Sequence, residues 1–273
     1  MSVDQRKLYR YNRCVPTAAQ YAELLELERA WVGQRATQFE EQAPRFGSRA
    51  ELMSALDGLL REEEASPGES DRFIAEEATL AQFKAIVAEF AVDGLVESQS
   101  HLGIIPRLPA KSRMAVFRVL VDEFGGGNDE QEHSALYTKL VTELGMPTEL
   151  DWYVDRAAPS SFAYVNLFHW LASRAPAVEY FLGAYAYFES SVLYAFKCYA
   201  AAAARLGIRN DRYYTEHLYI DSFHSKQMAG AIRALETERE VDLAKVWVGI
   251  QLTSATVAEA TDGAVAAAKE AGP

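Results

Sequence analysis

The chain has 273 residues, 49% of them hydrophobic and 24% charged, a balance ordinary for a globular protein in water. Its net charge of −12 argues against a nucleic-acid partner, whose phosphates want a basic face. Two cysteines, Cys14 and Cys198, form no CxxC pair; this excludes a disulfide framework or zinc ribbon and suits a reducing cytoplasm.

In chain order, the opening MSVDQRKLYRYNR lacks the apolar core of a signal peptide, so a cytoplasmic location is expected. Thr17 is a plausible N-cap for a helix through TAAQYAELLELERAWVGQRATQFEEQ. SRAELMSALDGLLREEEA opens on Ser48 with Glu51 three residues on, a capping-box pattern. ASPGESD, residues 65–71, is a loop by composition. EEATLAQFKAIVAEFAVDGLVESQSHLG reads as one long helix ending near Gly103, IIPRLP as a turn, and AKSRMAVFRVLVDEF as the returning helix. GGGN follows at Gly125 to Asn128; each glycine costs roughly 1 kcal/mol against alanine inside a helix, so the helix breaks or distorts. DEQEHSALYTKLVTELGM resumes it and ends at Gly145, a suitable C′ glycine. PTELDWYVDRAAPSS is a connection, and helices follow near 160–173, 177–206, 210–236 and 240–269. The longest apolar run, Tyr180 to Leu206, contains Glu189, Lys197 and Arg205, which a bilayer would penalise, so it reads as a buried helix and not a membrane span. No strand alternation or repeat is evident. The expectation is one all-α domain of seven to nine helices.

The strongest chemical signal is EHLYIDSFHSKQM. His217, Asp221 and His224 stand at offsets 0, 4 and 7, and at about 100° per residue they share one helix face. The intervening Leu218, Tyr219, Ile220 and Phe223 predict a helix buried on most sides. Buried imidazoles and a carboxylate need partners, either one another or a metal such as iron, manganese or zinc. The preceding helix carries a lone acid, Glu189 in GAYAYFESSVLYAF, and a turn near Gly207 to Asn210 could bring it towards the same face. In a straight helix Glu123 and His133 of DEFGGGNDEQEH would stand about 15 Å apart; a fold-back at the glycines would let both reach one site. Glu130 and His133 form an ExxH pair, the spacing of di-iron bundles, whereas Glu132 reads as a solvated charge. One segment earlier Glu97, Asp93 and Glu89 share a similar face. Three histidines with three or four carboxylates exceed what one metal needs and fit two metals bridged by carboxylates. His169 reads as a core or interface histidine, and His101 as a helix-end cation.

On these residues the sequence resembles the haem-oxygenase-like di-iron oxidases and oxygenases, known broadly as iron-containing redox enzymes. DEFGGGNDEQEH resembles their acidic–aromatic–triple-glycine segment, HLYIDSFH their His-x3-Asp-x2-His helix, and GAYAYFE the helix supplying a further ligand. The likeness covers roughly residues 80 to 235. It implies a haem-oxygenase-like bundle of about seven core helices, with 1–70 as accessory N-terminal helices or a dimer contact, 75–236 as the metal-binding core and 240–269 as a terminal helix. It implies two irons, the second labile, on Glu123, His133, Glu189, His217, Asp221 and His224. Glu97 best matches an extra carboxylate ligand of some members, with Asp93 its competitor.

The resemblance further implies an O2-dependent oxidoreductase of small-molecule biosynthesis. N-oxygenation or oxidative C–H or C–C chemistry on a small amino acid or amine is expected, with fatty-acid decarboxylation as the alternative within the family. An external electron donor and a homodimer are compatible partners; nucleic acid and membrane are not expected. Lys197 and Arg212 are cations available to a substrate carboxylate, although surface positions suit both. A haem-binding relative is disfavoured because no histidine precedes His101, and a cysteine hydrolase because Cys198 points about 180° from Glu189. A non-catalytic ferritin-like iron store would repeat Glu-x-x-His, which Glu130/His133 and Asp221/His224 imitate only loosely.

Overall fold

Thirteen α-helical segments and no strand occur among the described residues, 3–272, of the computed structural model. Five precede the core: α1 (Gln5–Asn12), α2 (Ala18–Glu28), α3 (Gln34–Gln42), α4 (Arg49–Ala65) and α5 (Glu69–Arg72). A π-helical turn over Arg29–Gly33 joins α2 to α3, and another over Phe73–Glu77 follows α5. The core comprises α6 (Leu80–Gly94), a 3-10 segment (Gln99–Arg107), α7 (Ala110–Glu123), α8 (His133–Glu143), α9 (Leu150–Val154), α10 (Pro159–Ser173), α11 (Val178–Leu206), α12 (Arg212–Glu238) and α13 (Leu243–Glu270). The excess over seven to nine lies in the short α1, α5 and α9 and in the π-turn that splits α2 from α3.

Thr17 caps α2 in a reciprocal box with Gln20, as Thr79 caps α6 with Gln82. Ser48 accepts from the Glu51 amide, but the Glu51 carboxylate takes the Gly47 amide at 2.8 Å, so only half of the expected box forms there. The N-terminal helices clamp onto the core through buried groups. The Tyr9 hydroxyl donates to the Val92 carbonyl at 2.6 Å, and Arg174 grips the buried Glu28.

The long α11 is the central post. Its C-terminus is closed by Gly207 at φ +73°, and the short turn returns α12 antiparallel against it. On its other side α13 approaches backbone to backbone: a Cβ on Gly183 would lie 1.8 Å from the Val246 carbonyl oxygen, and one on Gly249 would lie 2.0 Å from that of Tyr180. Helix α7 packs on α12. Among the described residues no helix is long and apolar enough to cross a membrane.

Four sequence expectations are corrected. The helix expected to run to Gly103 ends at Gly94. Tight turns follow, with Ser98 left-handed at φ 62° and the Ser98 hydroxyl bonded to Glu123 at 3.0 Å; a tertiary contact overrides the local preference. After the glycines the helix resumes only at His133, so Glu130 lies on a loop. The connection before α10 contains α9. Helix α12 is not buried all round: Tyr219 and Phe223 are 64% and 47% exposed on its outer side.

Candidate metal centre

Five segments deliver acids or imidazoles to one interior point. Glu97 comes from the tight turn after α6, Glu123 from the last residue of α7, and His133 from the first residue of α8. Glu189 comes from mid-α11, and His217, Asp221 and His224 from one face of α12. The glycine break joins the second and third. Gly125, Gly126 and Gly127 all adopt positive φ, and the chain doubles back so closely that a Cβ on Gly125 would lie 2.7 Å from the Glu132 amide nitrogen. As a result Glu123 Oε2 stands 3.0 Å from His133 Nδ1, where a straight helix would hold them apart.

The seven side chains form two overlapping groups: Glu97, Glu123, His133 and His217, and Glu123, Glu189, Asp221 and His224. Within each, one donor atom per residue lies within 4.8 Å of every other. Glu123 belongs to both. Its Oε2 faces His133, and its Oε1 lies 3.4 Å from His224 Nδ1.

The donor chemistry fits a pair of metal ions. His224 Nδ1 lies 3.1 Å from Glu189, 3.1 Å from Asp221 and 3.4 Å from Glu123, yet one N–H can satisfy only one acceptor. Both Asp221 oxygens and Glu97 Oε2 are buried without a hydrogen-bond partner among the described residues. Metal–ligand bonds of about 2.1 Å put neighbouring corners of an octahedron about 3 Å apart, the spacing these atoms show. The outer nitrogens are also held. His217 Nδ1–H donates to the Tyr213 carbonyl at 2.6 Å, leaving Nε2 aimed inwards, 3.1 Å from Glu97. His224 Nε2 lies 3.4 Å from Asp122, leaving Nδ1 aimed inwards.

The electrostatics demand positive charge. Burial lowers the His217 and His224 pKa values, but Glu97, Asp221, Glu189 and Glu123 outweigh it and push them up to about 10 and about 11. Burial raises Glu123, but the surrounding imidazoles outweigh it and hold its carboxyl far below the usual range. Burial, then Glu189, pushes Asp221 up to about 8, and burial raises Glu189. Protons and divalent cations compete to neutralise such a cluster.

Beside it lies a cavity of about 90 Å³ with a largely aromatic wall. Asp93 lines this cavity and stands outside both donor groups. Burial first, then the charges of Asp93 and Glu97, raise the neighbouring Tyr164 and Tyr213 phenols well above their ordinary range.

Several sequence-singled residues lie elsewhere. Glu89 anchors the start of α10, accepting from the Ala158 amide at 2.7 Å and the Ser161 hydroxyl at 2.5 Å. Glu130 is paired with Lys139 on the surface at 2.9 Å, so the ExxH spacing forms no pair here. Lys197 pairs with Glu64, and Arg212 with Gln131 and Glu216; both are exposed and neither lines the cavity. His101 is no helix-end cation: it stacks on Phe168 at 4.2 Å, lines the cavity, and burial pulls its pKa down to about 4. His169 is held neutral in the same way, at about 3. Sequence reasoning missed Ser98 and Asp122 as supports of Glu123 and His224; no spacing rule marks such partners.

An all-α bundle enclosing a carboxylate- and histidine-rich cluster around a shared glutamate defines a helical metalloprotein by its donor set. The chain belongs to the iron-containing redox enzyme family, whose model matches residues 84–257. It is also similar to a nitrosourea synthase of Streptomyces achromogenes subsp. streptozoticus, 29% identical over 168 residues. That similarity covers 60% of this chain and 34% of the relative, so the chain matches about a third of that protein's length.

Proposed function

We propose that this protein is a non-haem di-iron oxygenase that uses O2 to oxidise a nitrogen-bearing small molecule in biosynthesis. The observation that carries this reading is Glu123, shared between two donor groups. Glu97, Glu123, His133 and His217 would hold one iron, and Glu123, Glu189, Asp221 and His224 the other. Bound iron would supply the electrons that O2 chemistry requires, which zinc in the same place would not.

The chain's own residues do the rest. The Tyr213 carbonyl and the Asp122 carboxylate fix the orientation of His217 and His224. Ser98 steadies Glu123 by donating to it. The aromatic wall excludes bulk water and holds the substrate against the cluster. An external electron donor would return the irons to the ferrous state between turnovers. Nitrogen as the target is supported by the similarity to a nitrosourea synthase, because a nitrosourea carries an oxidised N–N=O group. The fatty-acid alternative stays an arm of the same test, since bound iron could itself meet a carboxylate where no lysine or arginine lines the cavity.

The test is O2 uptake by anaerobically ferrous-loaded protein across a panel of amines, amino acids and fatty acids. Amine-dependent uptake with a product one oxygen atom heavier is expected. His217→Ala should lose both iron and turnover with unchanged helical circular dichroism. Uptake of the same extent with every substrate, and no oxygenated product from any of them, would mark an iron store and overturn the proposal.

A further inference from the structure

Helices α7 and α12 lie side by side and antiparallel: the Lys111 amide meets Glu238 at one end of the pair, and Asp122 meets His224 towards the other. Of the eleven large hydrophobic residues exposed among those described, five stand on these two helices. Met114, Phe117 and Val121 share a side of α7 at helical spacing, as Tyr219 and Phe223 do on α12. Single exposed hydrophobics are ordinary, but a concentration of them on two packed helices marks an interaction surface.

The charge of this face is opposite to that of the chain. The net charge is −12, yet the exposed charged residues of α7 and α12 are Lys111, Arg118, Arg212, Lys226 and Arg233 against one acid, Glu236. Glu236 is matched by Arg49 at 3.2 Å, whereas Arg118, Lys226 and Arg233 have no ion-pair partner among the described residues. A basic, aromatic face on an acidic protein complements an acidic partner. A second copy docked face to face would instead set these cations against one another. The face also leads to the metal centre. The outer nitrogen of His224 lies 3.4 Å from Asp122, whose side chain is 39% exposed. Val121 and Phe223, the chain neighbours of those two residues, are both exposed. Two side chains therefore connect the donor cluster to the surface at this patch.

We infer that the α7–α12 face docks an acidic iron–sulfur carrier protein that delivers electrons to the centre through Asp122 and His224. This rests on the proposal above that the centre holds redox-active iron. Each encounter oxidises the carrier's reduced cluster by one electron and reduces one ferric ion to ferrous, so two encounters restore the pair. Arg118, Lys226 and Arg233 steer the carrier, and the exposed rings seat it; small, salt-sensitive contacts of this kind suit a carrier that must leave after each transfer.

The probe is an acidic plant-type 2Fe–2S ferredoxin, with basic cytochrome c as the control of opposite charge. Oxidised ferredoxin titrated calorimetrically into the iron-loaded, air-oxidised protein should saturate, bind at least ten-fold more tightly than cytochrome c, and weaken at least ten-fold between low and high salt. Stopped-flow mixing with reduced ferredoxin should show its cluster reoxidised by the ferric protein. Arg118→Glu combined with Lys226→Glu should weaken ferredoxin binding and slow that reoxidation, each at least ten-fold. Reduction by dithionite, iron content and helical circular dichroism should stay unchanged. The wild-type salt series and the cytochrome c comparison decide the matter even if the variant fails to fold. Ferredoxin that does not bind, cytochrome c that binds as tightly, or a folded variant that binds and reoxidises ferredoxin normally would each overturn the inference. So would a dimer in sedimentation that the double variant dissolves, since a second copy would then own the face. Substrate-dependent O2 uptake without ferredoxin binding would sink this inference alone. Salt- and charge-dependent ferredoxin binding and reoxidation in a protein that oxygenates no substrate would sink the oxygenase reading alone.

Discussion

His101 and His224 show how far surroundings decide a histidine's role. His224 meets three carboxylates and is driven towards the charged form; His101 meets Phe168 and Tyr185 rings and is driven towards the neutral one. For His101 burial is the first cause, only partly offset by the Glu123 charge, and the pKa falls to about 4. The unfolded chain protonates this imidazole below about pH 6.5, while the folded chain refuses the proton until about pH 4. The folded state therefore binds fewer protons in that window, and stability falls as pH falls through it. From pH 7 to pH 5 the loss is about 2 kcal/mol from this residue. His101→Phe keeps the stacking and removes the titration, so its urea-unfolding midpoint should decline less between those pH values than that of the wild type. Parallel pH profiles would refute the assignment. The residue types of the centre were legible in the chain, because two imidazoles and a carboxylate at helical offsets on an apolar helix demand partners. The state of His101 was not, because it depends on rings from α10 and α11 that sequence spacing does not place.

Helices α11, α12 and α13 were legible to within three residues at their ends, because breakers bound long apolar runs: Gly207 closes α11, while the cap at Asp242 starts α13 slightly later than expected. The segment after α6 was misread because local propensity favours continuing the helix. What ends it is the left-handed Ser98 and its bond to Glu123 from another helix. The fold-back at Gly125 to Gly127 was anticipated as a break, since three glycines serve a helix poorly. The contact between α11 and α13 leaves no such mark, and it carries a prediction. At Gly183 and Gly249 a methyl group would collide with backbone carbonyls that cannot rotate away. Gly183→Ala should lower stability by about 3 kcal/mol or more, read as an earlier midpoint in chemical unfolding. Gly230, with nothing near its Cβ position, serves as the control: Gly230→Ala should be neutral or stabilising by about 1 kcal/mol. Equal effects at the two sites would refute the close approach.

At the scale of the whole molecule the bundle acts as a frame that forces four carboxylates into a small apolar volume. Their repulsion opposes folding, and cations relieve it; hence metal binding and stability are linked. The seven residues converge because α11 and α12 pack antiparallel and because two irregular segments, one before α7 and one after it, aim Glu97 and His133 inwards. A chain of straight helices would have separated them. Asp93 falls outside both donor groups for the same reason: it lies on the regular last turn of α6, while Glu97 lies beyond the helix end. The proposed pair of irons shares Glu123. Anomalous X-ray scattering from ferrous-soaked crystals tests it most directly. Two iron peaks per chain are predicted, one on either side of the Glu123 carboxylate, and Glu123→Ala should remove both while Glu97→Ala removes only the one beside His133 and His217. A single peak, peaks away from these residues, or a Glu123→Ala protein that keeps both irons would contradict it.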